Sequence, residues 1–188
     1  MSVVAPTRGP STTLAEAILA WRAWTIAGTS DGRTVRLCPI AGDPRPWPPR
    51  RPKVADCARG AHHVAPGFDC TCGIHAMHER EGLRRTRDPS AVGTVALWGT
   101  VVEHELGFRA RIGYPQRLRL VCVVCFWQWG GASTVEVVGL GRGGRMTPLC
   151  DEHGDLCERI GLRFRGTLPA EDVQAALLDA YAVDLLPA

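Results

Sequence analysis

The sequence predicts an α+β fold: a small, strongly coiled antiparallel sheet or partial barrel in mid-chain, packed between an N-terminal and a C-terminal helix, with a Cys/His-clipped sub-domain beside it. Three observations predict it. Residues 94–105 (TVALWGTVVEHE) and 108–113 are rich in β-branched and aromatic residues and are separated by Leu106-Gly107, as in a hairpin. Both ends carry helix-start signals, a capping-box spacing from Thr13 to Glu16 and a Pro169 followed by Glu171 and Asp172. Cysteine and histidine are concentrated in two short stretches. With 188 residues, 45% apolar and 22% charged, the chain can bury one good core or two small ones. Disordered, collagen-like and coiled-coil classes are excluded.

The first element is expected to be a helix from residue 13 to about residue 26. Leu14, Ala17, Ile18, Trp21 and Thr25 recur at helical spacing, with Trp24 beside them, and core packing is the simplest use of both tryptophans. Residues 28–34 read as a turn and 35–40 as a short strand containing Cys38. Residues 43–53 hold five prolines, which exclude a helix or central strand, so this is loop or polyproline II. Trp47 within it either stacks on a partner or pins the loop to the protein's own surface. Residues 57–82 read as loop, and 83–90 as a basic connection with Arg84, Arg85 and Arg87.

In the central hairpin Gly99 interrupts the first strand and predicts a bulge. In the return strand Phe108, Ala110 and Ile112 alternate with Arg109 and Arg111, one face buried and the other presenting arginines. Residues 117–121 repeat the alternation, 135–140 form another strand, and 141–144 a Gly-rich turn. A helix is expected over 151–161. In the last helix Val173, Ala176, Leu177, Ala180 and Tyr181 form an apolar stripe that docks on the core. Tyr114-Pro115 is the one hinge-like break. It divides the chain into residues 1–113, a Cys/His-rich α+β domain with its Pro-rich loop, and 114–188, or else the two form one unit.

Charge is uneven. Residues 1–150 carry 19 basic and 11 acidic side chains, and 151–188 carry 3 and 8, so a polyanionic partner would meet a local basic face. Of the 22 basic residues only Lys53 is a lysine. Arginine, alanine, glycine and proline are all favoured by GC-rich codons, so the arginine count by itself indicates no binding role. No secretory signal or run of about 20 apolar residues is read from the sequence, so the cytoplasm is the expected location. In that reducing setting eight cysteines point to metal ligation rather than a disulfide framework.

Cys122-x-x-Cys125 is followed, after 24 intervening residues, by Cys150-x-x-His153. A two-residue gap lets one tight turn aim two ligands at one ion, and two such pairs complete the four tetrahedral N/S positions that zinc prefers. Cys157, one helical turn beyond His153, is an alternative fourth ligand. The order of Cys pair, intervening strand and turn, then a ligand-bearing helix start resembles the treble-clef and zinc-ribbon families over residues 118–160. That resemblance implies a bound zinc and no particular activity. A filled site of this kind is structural and converts metal affinity into folding free energy.

The second constellation contains Cys57, His62, His63, Cys70, Cys72, His75 and His78. Cys57, Cys70 and Cys72 supply three thiolates, with His63 or His75 as the fourth ligand of a second zinc. The string Cys57…His63-x-Ala65-Pro66…Cys70-x-Cys72-Gly73-Ile74, followed by the 93–105 segment, resembles a pattern in an uncharacterised family of small bacterial proteins. It covers residues 57–113 and implies no mechanism.

Known enzyme signatures are missing. There is no H-E-x-x-H helix, no deaminase pair of H-x-E with P-C-x-x-C, no phosphate loop and no G-x-S-x-G elbow. Glu103-His104-Glu105 reads as a solvated turn or as the base of a zinc-dependent hydrolase-type enzyme. The leading expectation is a non-catalytic, zinc-stabilised protein that binds nucleic acid. Arg109, Arg111, Arg117 and Arg119 on adjacent strands, with Arg142 and Arg145, would neutralise phosphate, while Trp127 and Trp129 stack on bases. The alternatives are a protein–protein interaction adaptor and the zinc enzyme.

Overall fold

The computed structural model describes residues 16–57, 59–60, 63–129, 133–161 and 163–187. Its first element is a strand, β1 (Ile18–Gly28), where the sequence predicted a helix; Thr13 and the rest of the capping box lie outside the described residues. Ala20, Trp24 and Ile26 point into the core at the two-residue period of a strand. That period is disguised because a buried arginine, Arg22, occupies one inward position and Ala23 is buried on the opposite face. Apolar residues therefore recur at helical spacing by coincidence. Pairing decides the outcome: β1 matches β5 at seven positions from Ile18↔Leu97 to Trp24↔Ala91 and then pairs with β2 and β8.

After β2 (Val35–Cys38) the Pro-rich segment is loop as expected, ending in β3 (Lys53–Val54). Trp47 pins this loop: it is 1% exposed, meets Trp24 edge to face at 5.6 Å, and its N–H donates to the Leu37 carbonyl. Residues 57–82 are less loop-like than predicted, since β4 (Ile74–Met77) and a 3-10 turn (Arg80–Arg85) fall there or begin there.

β5 (Ala91–His104) and β6 (Gly107–Leu120) form the long hairpin that the sequence placed at 94–113. The predicted bulge is present. Pairing shifts register between Trp98 and Val101, and Gly99 takes φ +78°, a conformation other residues rarely adopt. A second shift between Thr94 and Val95 accommodates Gln116 next to Pro115, which sits within one continuous strand because the extra residue relieves the ladder there.

α1 (Val123–Trp129), β7 (Val137–Leu140), β8 (Arg145–Leu149), α2 (Asp151–Arg159), β9 (Thr167–Pro169), α3 (Ala170–Tyr181) and β10 (Asp184–Leu185) follow. The architecture is mixed α+β, with a largely antiparallel sheet and few helices. The pairings β1–β5–β6–β4 return to β1 through a single bridge, Trp21↔Met77, so the sheet is coiled but is not a true barrel. α3 covers the open side: Val173, Leu177 and Tyr181 are fully buried against the core of Trp24, Leu37, Val95 and Leu118. Each such side chain contributes about 1.5–3 kcal/mol relative to exposure. Among the described residues no helix is long and apolar enough to cross a membrane.

Candidate metal centres

Cys122 follows the end of β6, and Cys125 lies in the first turns of α1 rather than in a single tight turn. Cys150 caps α2 and His153 sits in its first turn, the ligand-bearing helix start that the sequence suggested. The four are buried together, with their ligand atoms all within 4.8 Å of one another. His153 Nδ1 is 3.0 Å from Cys150 Sγ, 3.2 Å from Cys125 Sγ and 3.7 Å from Cys122 Sγ. Cys125 and Cys150 are 3.5 Å apart. A tetrahedral zinc with Zn–S of ~2.3 Å and Zn–N of ~2.0 Å sets its ligands about 3.5–3.8 Å apart, whereas a disulfide needs ~2.05 Å. The 3.5 and 3.7 Å separations match that span, the two shorter His153 distances lie just inside it, none is near a disulfide bond length, and all eight cysteines are free thiols. Burial pushes the Cys150 thiol up to about 12; a divalent cation among the sulfurs reverses that preference. Cys157 is outside the quartet and packs against it with Val137 and Phe164.

The second group is Cys57, His63, Cys70 and Cys72, also within 4.8 Å of one another. Cys57 and Cys70 sulfurs are 3.7 Å apart, and His63 Nε2 is 3.1 Å from Cys72 Sγ. Unlike the first quartet it is partly open, with His63 exposed. The loop is shaped by its backbone. Gly67 donates its N–H to Cys72 Sγ at 3.4 Å, and a Cβ there would meet the His63 ring at 2.7 Å, so only glycine lets that ring approach. His75 is turned away to the Thr71 carbonyl at 2.7 Å, leaving His63 as the histidine of the group; His62 lies outside the described residues. The Cys70 thiol is held below its ordinary value, chiefly by the Cys72 backbone.

The remaining candidates scatter. Arg109 Nη1 is directed at the carbonyls of Gly67 (3.2 Å), Cys72 (3.3 Å) and Cys70, so it fastens the Cys/His loop. Arg111 and Arg117 are exposed, and Arg119 is half-buried near Glu171 and Gln174. All four arginines lie on the single strand β6, not on adjacent strands, and both register shifts fall between Arg109 and Arg117. Arg142 is exposed in a 3-10 turn, and Arg145 lies 3.5 Å from Asp88. Trp127 is 49% exposed and donates Nε1–H to the Thr86 carbonyl at 3.2 Å, which sets it between Arg85 and Arg87 in sequence neighbourhood. Trp129 ends α1, but its side chain is outside the described residues. Glu103 and His104 end β5 and Glu105 lies in the turn, all exposed; His78 Nε2 meets the His104 carbonyl at 3.0 Å and Glu103 at 3.7 Å.

Two features escaped the sequence: the loop-holding role of Arg109, some 40 residues from its acceptors, and a buried pair of Lys53 and Asp43 at 2.7 Å. Neither leaves a local motif. Comparison with known protein families, curated proteins and solved structures finds no match. Two Cys/His clusters that could hold zinc are the chemistry this chain displays.

Proposed function

We propose that the chain is a non-catalytic binding protein fastened by two structural zinc ions, acting in a reducing compartment such as the cytoplasm, with nucleic acid as its partner. The observation that carries the zinc reading is the closure of each quartet by four protein ligands. A tetrahedron filled by protein keeps no position for the water that a catalytic zinc activates. The first ion would tie β6 and α1 to the start of α2. The second would close the 57–72 loop on itself, and Arg109 fastens that loop to β6.

Nucleic acid is favoured by the exposed Trp127, bonded to Thr86 with Arg85 and Arg87 on either side, and by Arg142 and Arg145 on the turn before α2. An exposed indole bonded to a backbone carbonyl between two arginines in sequence suits stacking on a base with phosphates neutralised alongside. A protein partner is the second reading, favoured by Leu156 and Ile160, exposed one turn apart at α2 and its C-cap.

Elemental analysis of the purified chain tests the zinc reading. Two zinc ions per chain are expected, falling to one with Cys70→Ser and to one with Cys125→Ser; a chain without bound metal refutes it. Binding to a single-stranded oligonucleotide tests the partner. Affinity should fall with salt, and Arg85→Ala with Arg87→Ala should reduce the logarithmic slope by about 1.4. Capture that is indifferent to salt would transfer the function to a protein partner.

A further inference from the structure

β1 is paired continuously with β5 on one edge, but on the other β4 touches it at Trp21 and β2 joins only from Thr25. Where β2 and β4 part from β1 there is a groove of about 590 Å³, within the range of small-molecule sites. Its walls include Trp21, Met77 and Leu83, its charged lining is Arg22, Arg85 and Arg87, and no carboxylate lines it.

Arg22 is the unusual member. It is only 9% exposed, yet no Asp or Glu among the described residues forms an ion pair with it. Nη1 donates to the His75 carbonyl, the guanidinium lies 5.4 Å from the Trp47 ring and 5.8 Å from that of Trp24, and Nε has no hydrogen-bond partner among the described residues. Asp43, in the small cavity on the other side of Arg22, is already committed to Arg45 and Lys53. Burial lowers the Arg22 pKa to about 10, which leaves it protonated at neutral pH. A buried cation without a counter-charge is costly to keep and is relieved by an anion.

We propose that this groove binds a small organic anion with a flat apolar body, its charged group drawn to Arg22, Arg85 and Arg87 and its body lying against Trp21, Met77 and Leu83. The groove shares Arg85 and Arg87 with the nucleic-acid reading, whereas Arg22 and the apolar walls belong neither to that reading nor to the zinc one, so the variants below are made there.

The test uses the full chain in its metal-loaded form and two fluorescent probes with the same ring system. These are 8-anilinonaphthalene-1-sulfonate, an anion, and N-phenyl-1-naphthylamine, which has no charge. One anionic probe per chain is expected, bound at least tenfold more tightly than the amine. Arg22→Gln should weaken the anion by tenfold or more. Because that variant alters the core, Ala41→Trp, at an exposed position on the groove wall, is the second. It should block the anionic probe while leaving the thermal transition in place. Equal affinity for the two probes, or unchanged anion binding in Ala41→Trp, would overturn the proposal.

Discussion

Arg109→Met is the substitution that separates the two roles available to this arginine. Its Nη1 faces three backbone carbonyls of the 67–72 loop, but one nitrogen has two hydrogens, so two good charge-assisted bonds can exist at a time. Each contributes about 1.5–3 kcal/mol when buried. Arg109 is half-exposed, and solvent screening reduces the pair to about 2–3 kcal/mol in total. Methionine retains the apolar stem and removes both bonds. The loop that carries Cys70 and Cys72 must then be ordered by the metal itself, so zinc affinity at the Cys57/His63/Cys70/Cys72 site should drop roughly 30- to 150-fold, at ~1.4 kcal/mol per decade. Chelator competition measures this, with the Cys122/Cys125/Cys150/His153 site as internal control and expected unchanged. If both affinities stay as in the parent chain while oligonucleotide retention is lost, Arg109 contacts phosphate and the loop-fastening argument is wrong.

Two further substitutions test the core. The Tyr181 hydroxyl is buried, donating to the Trp47 carbonyl at 2.8 Å and accepting from the Leu37 N–H at 3.0 Å; Tyr181→Phe orphans both and should cost about 2 kcal/mol in denaturant unfolding. Burial raises this phenol to about 12, above its unfolded value, so its contribution is complete below about pH 10 and fades as pH rises toward 12, where the variant should converge on the parent. Asp43→Asn breaks the pair with Lys53, whose side chains are 14% and 9% exposed, and should cost about 3 kcal/mol at neutral pH. Arg45, then Lys53, holds the Asp43 carboxyl well below the carboxylate range. The stabilisation is therefore full above about pH 4 and shrinks as pH falls further, which acid titration of both proteins would reveal.

What the sequence exposed and what it hid follow from the range of the determining interaction. The β5–β6 hairpin, the Gly99 bulge and α3 were legible because their signals are local: a two-residue period, a glycine at a point needing positive φ, and an apolar stripe behind acidic first-turn residues. The buried quartet was legible because Cys-x-x-Cys and Cys-x-x-His are short-range geometry, although α1 stands where a tight turn was expected. β1 was misread because an inward Arg22 interrupts its alternation, and the reason that arginine is tolerated lies in Trp24, Trp47 and the His75 carbonyl, distant in sequence from one another. The choice of His63 over His75 likewise depends on Gly67 and on a carbonyl at Thr71, which spacing alone does not reveal.

The two quartets differ in burial, and that difference orders the release of their metals. Cys122, Cys125, Cys150 and His153 are all buried, walled by Leu149 with Val135, Val137 and Phe164 packed around them, so a chelator reaches them only after α1 or α2 has moved. In the 57–72 group His63 is exposed and the three cysteines are partly so, and the supporting loop can open without disturbing the sheet. Metal release to an excess of chromogenic chelator should therefore have two phases of equal amplitude. Cys57→Ser should abolish the fast one and Cys125→Ser the slow one, and loss of near-ultraviolet dichroism should accompany the slow phase. A single phase, or a fast phase that vanishes with Cys125→Ser, would mean that solvent access does not set the order and that the buried quartet is not the firmer fastener.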